Sequence, residues 1–473
     1  MAVNSPVVLP RLLLAGAILA APALAAPPDP FSTEAMTAAS AAGSLLRGPC
    51  QPPSGTAPLS LADVVERALC NNPQTREAWS NARFQAAQVG VGEAAYLPSL
   101  SLSVGETRNR TEGGGSTRSS GTYNQFSTTL GLSYVLYDFG ARDAALESAK
   151  QILAAANATQ DATLQSVFLA AVQAYYQFFA TTAALDAARE AEKSARESFN
   201  AAEARYKVGA GTPADKLQAQ TALSQTVLNR IRAEGDLKNA QGQLAASMGL
   251  DANRPQAVAL PGLAMPDAQF ERDVGRLIED ARRQRPDLAA AEAQVKAAQA
   301  GADAARAAGM PTVALSSSFS RSHTGQDDPT DSSAIGVTLS YPLFSGYATT
   351  YRVRAAEQQI ETRQAQRERI SQQVALEVWR AYQGVTTETQ AVRSSADLLA
   401  SAIQSEQVAL GRYKAGVGNI LDLLTAQAAL ASARVQNIQA LYNWHIARST
   451  LAQSMGRLDF SAIGAPAAQQ TTP

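Results

Sequence analysis

Arg205–Leu223, RYKVGAGTPADKLQAQTAL, returns as Arg412–Leu430, RYKAGVGNILDLLTAQAAL, with eleven of the nineteen positions identical. Each copy reads as one helix ending and another beginning, so the chain carries the same helical hairpin tip twice. The separation of 207 residues holds at Met248-Gly249 against Met455-Gly456 and at Leu132-Ser133-Tyr134 against Leu339-Ser340-Tyr341. Upstream it becomes 213, pairing Pro73 with Pro286 and Pro98 with Pro311. The first half therefore holds six extra residues between Pro98 and Tyr134, where Gly113-Gly114-Gly115 and a Ser/Thr-rich run have loop composition. So long a period means duplication of a domain-sized unit. The spacing predicts one repeat over 59–251 and a second over 270–459, joined by a linker, 252–269, marked by Pro255, Pro261 and Pro266.

The flanks belong to neither repeat. Residues 1–25 combine Arg11, an apolar run over Leu12–Ala21 and the small-residue site Ala23-Leu24-Ala25, the pattern of a cleaved secretory signal peptide. No cysteine follows the cleavage site, which argues against a lipid anchor. Residues 26–58 are proline-rich and aperiodic, as is the tail over 460–473, and both are expected to be disordered or draped on the surface. A net charge of −1 makes no electrostatic case for nucleic acid. After the signal no run of about eighteen apolar residues occurs, so any membrane contact has to come from strands. Cys50 and Cys70 are the only cysteines, and in an exported chain one disulfide or two thiols are both open.

Within each repeat the hydrophobic period switches. Leu61–Tyr96 has helix-like spacing; past Pro98, Leu100, Leu102 and Val104 alternate with Ser99, Ser101 and Ser103. A second strand places Phe126, Leu130, Leu132, Tyr134 and Leu136 on one face, and Ser127, Thr129, Gly131 and Ser133 on the other. The second repeat does the same with Val313, Leu315 and Phe319, then with Ile335, Val337, Leu339, Tyr341 and Leu343. In an exported protein, strands of about ten residues with an apolar and a small polar face fit a membrane barrel. Four strands cannot close one. Barrels start at about eight strands, so closure requires several copies, and three would supply twelve.

The segments after the second strands are long. Ala141–Lys207 contains neither proline nor glycine, and Ala348–Lys414 has only Gly384 and Gly411. Each would extend about 100 Å as a helix. Phe168, Val172, Tyr175 and Phe179, like Val374, Val378, Tyr382 and Val385, mark a coiled-coil-like seam. Shorter helices over Pro213–Met248 and Ile420–Met455 are expected to run back antiparallel. At the tips between them, Gly209 and Gly416 stand where a helix end takes a left-handed residue, and Gly211 and Gly418 supply a second flexible point. Thr212 and Asn419 are N-caps, with Pro213 at a first helical position. Asp215 and Asp422, three residues on, can reach back to the cap N–H and meet the helix dipole. A second reading of the same aspartates is a ring set by oligomer symmetry at the end of a tube.

These features together resemble the TolC family of trimeric outer-membrane channels, over nearly all of Leu59–Asp459. The resemblance rests on the duplicated order helix, strand, strand, long helix, short helix. It rests also on Ala68-Leu69 leading to Asn72-Pro73, on Tyr341-Pro342-Leu343-Phe344-Ser345-Gly346, and on Arg-Tyr-Lys-x-Gly-x-Gly with the downstream Asp and Ala-Gln. It implies a mainly α protein with a membrane β-barrel part: a homotrimer forming a 12-stranded barrel in outer-membrane lipid and an α-helical tunnel in the periplasm. The implied partners are a periplasmic adaptor (membrane fusion protein) and an inner-membrane transporter. The resemblance places Asp422 at the family's constricting acidic ring, with Asp215 and Tyr413 among the links that close the aperture. It gives the turns at Arg205, Gly209, Gly211, Arg412, Gly416 and Gly418 to adaptor docking. The family member best known for this gate has an arginine where this chain has Gly418 and a second acidic ring at Thr425, so Lys207, Lys414 or Arg412 stand as substitutes. The sequence looks most like the branch serving type I protein secretion, implying an ABC-type transporter and an exported protein or toxin as substrate; multidrug efflux is the alternative.

Enzymatic readings lack material. With His323 in an expected loop and His445 on a helix as the only histidines, neither a His-based metal cluster nor a His-based triad can be assembled, and no catalytic residue, metal or cofactor is expected. Gly209-x-Gly211-x-x-Ala214 follows a helix where a dinucleotide fingerprint requires a strand. Trp79, Trp379 and Trp444 are expected chiefly as packing residues. The rival from another class is an exported coiled-coil scaffold with a β-rich head, which would not need four lipid-length alternating strands.

Overall fold

The computed structural model describes residues 29–41, 43, 50, 58–111, 121–254, 256–260, 273–324 and 328–461. The signal peptide over 1–25, the Gly113–Gly115 loop, the three linker prolines and the tail beyond 461 lie outside the described residues. The order of elements is α1 (Leu61–Asn71), α2 (Pro73–Ala94), β1 (Ser99–Thr111), β2 (Gly121–Tyr137), α3 (Ala141–Lys207) and α4 (Pro213–Ser247). It repeats as α5 (Val274–Gln284), α6 (Pro286–Ala307), β3 (Thr312–Thr324), β4 (Thr330–Ser340), α7 (Ala348–Lys414) and α8 (Ile420–Ser454). The long helices α3 and α7 are each 67 residues and their return helices 35.

The stretch expected as one helix over Leu61–Tyr96 is two. Pro73 disfavours helical geometry at Asn72, which instead is extended (φ −63°, ψ 130°) and caps α2 through its side chain. The same joint in the second repeat is Arg285-Pro286. At both joints a side chain from the break reaches the end of the return helix: Asn72 Nδ2 donates to the carbonyl of Ser247 (3.3 Å), and Arg285 Nη1 to that of Ser454 (3.4 Å). Arg285 is buried, and its charge is met by Asp287 (2.6 Å) and Glu377 (2.5 Å).

The main core lies around this level. Leu164, Phe168, Val172 and Tyr175 of α3 pack on Val64, Val65 and Leu69 of α1, Leu244 of α4 and Met248. Burying four such side chains contributes on the order of 2 kcal/mol each, the tertiary packing from which most of a helix's stability in a protein comes. The second repeat has the smaller counterpart, Leu277 and Ala281 of α5 on Val374 and Val378 of α7. α3 packs also against α2, α6 and α8, so the repeats form one body.

Part of the N-terminal flank is ordered. A short 3-10 turn, Thr33–Met36, lies on α2, where Trp79 Nε1 donates to the carbonyl of Ala38 (2.8 Å), and Asn157 Nδ2 of α3 donates to that of Met36 (3.1 Å). Residues 29–41 are thus draped and not disordered, and Cys50 is disulfide-bonded to Cys70 at the end of α1.

The four strands form one antiparallel sheet in the order β1-β2-β3-β4. Register pairs Leu100 with Leu132, Leu102 with Leu130, Leu130 with Phe319 and Leu315 with Val337, which gathers the apolar side chains on one face. That face is bare in the protomer: Leu100 is 67% exposed and Ile335 77%. The other face is mainly serine, threonine and glycine, with Ser99, Ser101 and Ser103 hydroxyls near the carbonyls of β2 at 3.3–3.4 Å. The strands run longer than ten residues, reaching 17 in β2. β3 extends through His323, which is a strand residue and not a loop residue. Among the described residues no helix is long and apolar enough to cross a membrane.

Candidate functional site

The tips of both hairpins lie together at the end of the helices remote from the sheet. Each turn is built the same way. At the end of α3, Gly209 is left-handed (φ +77°), its N–H bonding the carbonyl of Tyr206 and Ala210 N–H that of Arg205 (2.8 Å). At the end of α7, Gly416 (φ +77°) bonds Tyr413, and Val417 N–H bonds Arg412 (3.1 Å). This is the Schellman closure, and glycine is required because a side chain at that φ meets its own backbone. Gly211 and Gly418 serve another purpose than flexibility. Their φ is not left-handed, but a Cβ at Gly211 would lie 3.2 Å from Tyr206 N, and at Gly418 3.2 Å from Tyr413 N. They let the turn fold back onto the helix it leaves.

The two aspartates differ. Thr212 accepts from Asp215 N–H (3.2 Å), and the Asp215 carboxylate accepts from Thr212 N–H (3.1 Å), a complete capping box. In the second copy Asn419 accepts from Asp422 N–H (2.7 Å), but the Asp422 carboxylate does not return the bond. Among the described residues that carboxylate has no hydrogen-bond or ion-pair partner, and Asp422 is exposed.

Arg205 and Tyr413 join the copies. Arg205 Nη2 donates to the Tyr413 carbonyl (2.8 Å), and its guanidinium carbon stands 4.4 Å from the Tyr413 ring centroid. Tyr413 is buried with Ala202, Ala219, Ile420 and Leu423, against Phe199 and Leu424. Farther along the same helices Ser198 and Gln427 bond across the repeats (3.1 Å). Of the substitute cations, Lys207 binds Glu203 (3.3 Å), which also receives Lys216 (3.0 Å), while Lys414 and Arg412 have no ion-pair partner among the described residues. These two lysines hold the Glu203 carboxyl below its usual range.

Nearer the middle of the bundle, His445 of α8 is buried and stacked on Tyr176 of α3, ring centroids 4.9 Å apart. Burial, aided by the nearby Arg448 charge, pushes its pKa down to about 4, so the ring is neutral, with Nε2 lacking a hydrogen-bond partner among the described residues. Trp444 is buried beside it and donates to Thr389 (3.0 Å), and Trp79 is half-buried, whereas Trp379 is 47% exposed and not a packing residue in the protomer. No group of three or more potential metal ligands gathers among the described residues. Among the described residues the tips offer packing and charge.

The family model described as "Outer membrane efflux protein" matches residues 64–250 and 277–457, one block per repeat. Protein CyaE of Bordetella pertussis is 32% identical over 457 residues, covering 96% of this chain and 94% of that protein. The outer membrane efflux protein BepC of Brucella suis is 24% identical over 88% of this chain and 90% of its own length. The alkaline protease secretion protein AprF of Pseudomonas aeruginosa is 24% identical, with 85% of each chain covered. Among solved structures, the Campylobacter jejuni CmeC outer membrane channel superposes with a TM-score of 0.78 at 21% identity, over 85% of this chain and 86% of that one.

Proposed function

The chain belongs to the outer membrane efflux protein family, the TolC-like channels, and on that premise we propose that it is the exit duct of a type I protein secretion system. Membership makes it an outer-membrane channel for efflux or secretion and not an enzyme. Members of the family are trimers whose helical tunnel meets an adaptor and an inner-membrane transporter. The single observation that carries the finer reading is the 32% identity to CyaE along almost the whole of both chains. AprF, by name a protease secretion protein, supports the same reading. BepC, by name an efflux protein, favours the second reading, the outer-membrane component of a multidrug efflux pump.

In the proposed trimer the bare apolar sheet face meets outer-membrane lipid and the hydroxyl face lines the lumen. The periplasmic aperture is formed by Asp422 with Asp215 and Tyr413. The turns at Arg205, Gly209, Gly211, Arg412, Gly416 and Gly418 present the surface to the adaptor. The unpartnered carboxylate of Asp422 supports this role, because a capping residue would have turned inward as Asp215 does. The deciding experiment is co-purification from the native envelope. An ABC transporter with its adaptor and a secreted protein supports the duct for proteins; a proton-driven pump moves the assignment to drug efflux. A detergent-extracted protein that neither conducts in planar bilayers nor forms trimers overturns both.

A further inference from the structure

The sheet of one protomer ends in two unpaired edges, β1 and β4. Such edges are templates for pairing with another strand; the apolar pattern limits the register, and opposite charges across the pair favour one register over another while like charges disfavour it. In the trimer of the proposed duct, on which this inference rests, β4 of one copy lies against β1 of the next. We propose that this seam is keyed by charge: Asp331 on β4 meets the arginine pair Arg108 and Arg110 on β1 of the partner subunit, forming a network with Arg321 of its own chain.

The register on the page brings these groups to one place. Arg108 and Arg110 continue the face of Leu100, Leu102 and Val104, and Asp331 continues that of Ile335, Val337 and Leu339. All three therefore stand on the lipid side, just beyond the apolar band and at the loop end of the sheet. Asp331 is paired with Arg321 at 3.5 Å, yet half of its side chain is still exposed, at 52%. Arg108 has no ion-pair partner among the described residues and is exposed. Arg108 thus gives one edge an exposed positive charge, and the other edge presents an accessible carboxylate.

Geometry leaves few alternatives. To keep the apolar face continuous, odd-numbered residues of β4 must oppose even-numbered residues of β1, so the stagger per protomer changes in steps of two. With a rise of about 3.4 Å and a strand spacing of about 4.8 Å, staggers of two, four, six and eight residues tilt twelve strands by roughly 20°, 35°, 47° and 55°. Membrane barrels tilt by about 35–45°. A stagger of four puts Asp331 opposite Arg108 and aligns the strand ends, Ser340 against Ser99; a stagger of six puts it opposite Arg110. A stagger of two sets it against Glu106, a like charge, and eight carries it past Thr111, the end of β1. The two tilts nearest those of known barrels are the two that satisfy the charges.

Disulfide cross-linking in the full chain reads the seam directly, because Cys50 and Cys70 are already bonded to each other. Thr338→Cys is combined in turn with Ser99→Cys, Ser101→Cys, Ser103→Cys and Gly105→Cys, all on the lumen face. The expected result is a covalent trimer on non-reducing gels with Ser101→Cys or Ser103→Cys. Asp331→Arg is expected to lower the temperature at which the native trimer dissociates, and Arg108→Asp with Arg110→Asp in the same chain to restore it. Cross-linking only through Ser99→Cys or Gly105→Cys, or through none of the four, overturns the seam while the trimer stands, as does absence of rescue. A chain that stays monomeric and does not conduct removes the duct reading with it.

Discussion

Replacing Arg205 with methionine should loosen the tip without unfolding the bundle. Methionine keeps much of the aliphatic length and removes two interactions with Tyr413: the 2.8 Å hydrogen bond to its carbonyl and the guanidinium over its ring. A hydrogen bond from a charged donor contributes about 1.5–3 kcal/mol, and the lower end applies because the carbonyl still accepts from Gly416 N–H. The cation–π contact adds about 0.5–1 kcal/mol at a half-exposed site. Together they contribute about 2 kcal/mol, a shift of about 30-fold in the equilibrium for separating the tips. Hydrogen exchange of amides at the ends of α3 and α7 should accelerate by that factor, and the open fraction in planar bilayers should rise. Tyr413→Phe is the control. Its hydroxyl has no hydrogen-bond partner among the described residues, so the ring and carbonyl survive and exchange should stay within about twofold. Unchanged exchange in Arg205→Met, or an equal acceleration in Tyr413→Phe, refutes the assignment of this stability to the Arg205–Tyr413 contacts.

Asp422→Asn should reduce cation preference in a salt gradient while Asp215→Asn, whose parent carboxylate is engaged in its cap, changes it less; equal effects would remove the distinction drawn between them. His445 is neutral when folded, with a pKa near 4 against about 6.5 unfolded, so its contribution is present above pH 6.5 and falls as the pH drops toward 4, by at most about 1.4 kcal/mol per pH unit. Trimer melting followed between pH 7 and 4.5 should show that slope, and His445→Phe should flatten it; a slope that persists assigns it to other groups. Gly249→Ala should destabilise by well over 1 kcal/mol, because φ is +72° and the new Cβ would lie 2.6 Å from the carbonyl oxygen of Asn71. Denaturant unfolding reads this, and a wild-type midpoint would show that the joint can shift.

What was legible in the sequence depended on whether a signal was local. The limits of α3 follow from an absence of proline and glycine ended by Gly209, those of α7 from its match to α3 despite Gly384 and Gly411, and the structure gives the same 67 residues. Strand faces were legible over the apolar band. Beyond it both faces are polar, the alternation disappears, and His323 looks like loop although the backbone ladder continues. The N-terminal drape left no pattern because its contacts run through main-chain carbonyls at Met36 and Ala38. Asp215 and Asp422 have the same spacing from their caps, so only the structure separates the engaged carboxylate from the free one. Arg205 was placed at the turn, but its contact with Tyr413, 208 residues away, depends on how the repeats pack.

That divergence between otherwise matching turns changes the symmetry of the tip. Duplication gives the proposed trimer an approximately sixfold outer rim, since Arg205 and Arg412, and Gly209 and Gly416, recur at alternate positions. One cap binds its carboxylate and the other leaves it free, so in the proposed trimer the unengaged carboxylate repeats only three times. On the proposed reading, an adaptor would grip a quasi-hexagonal collar while the cargo would pass three free carboxylates.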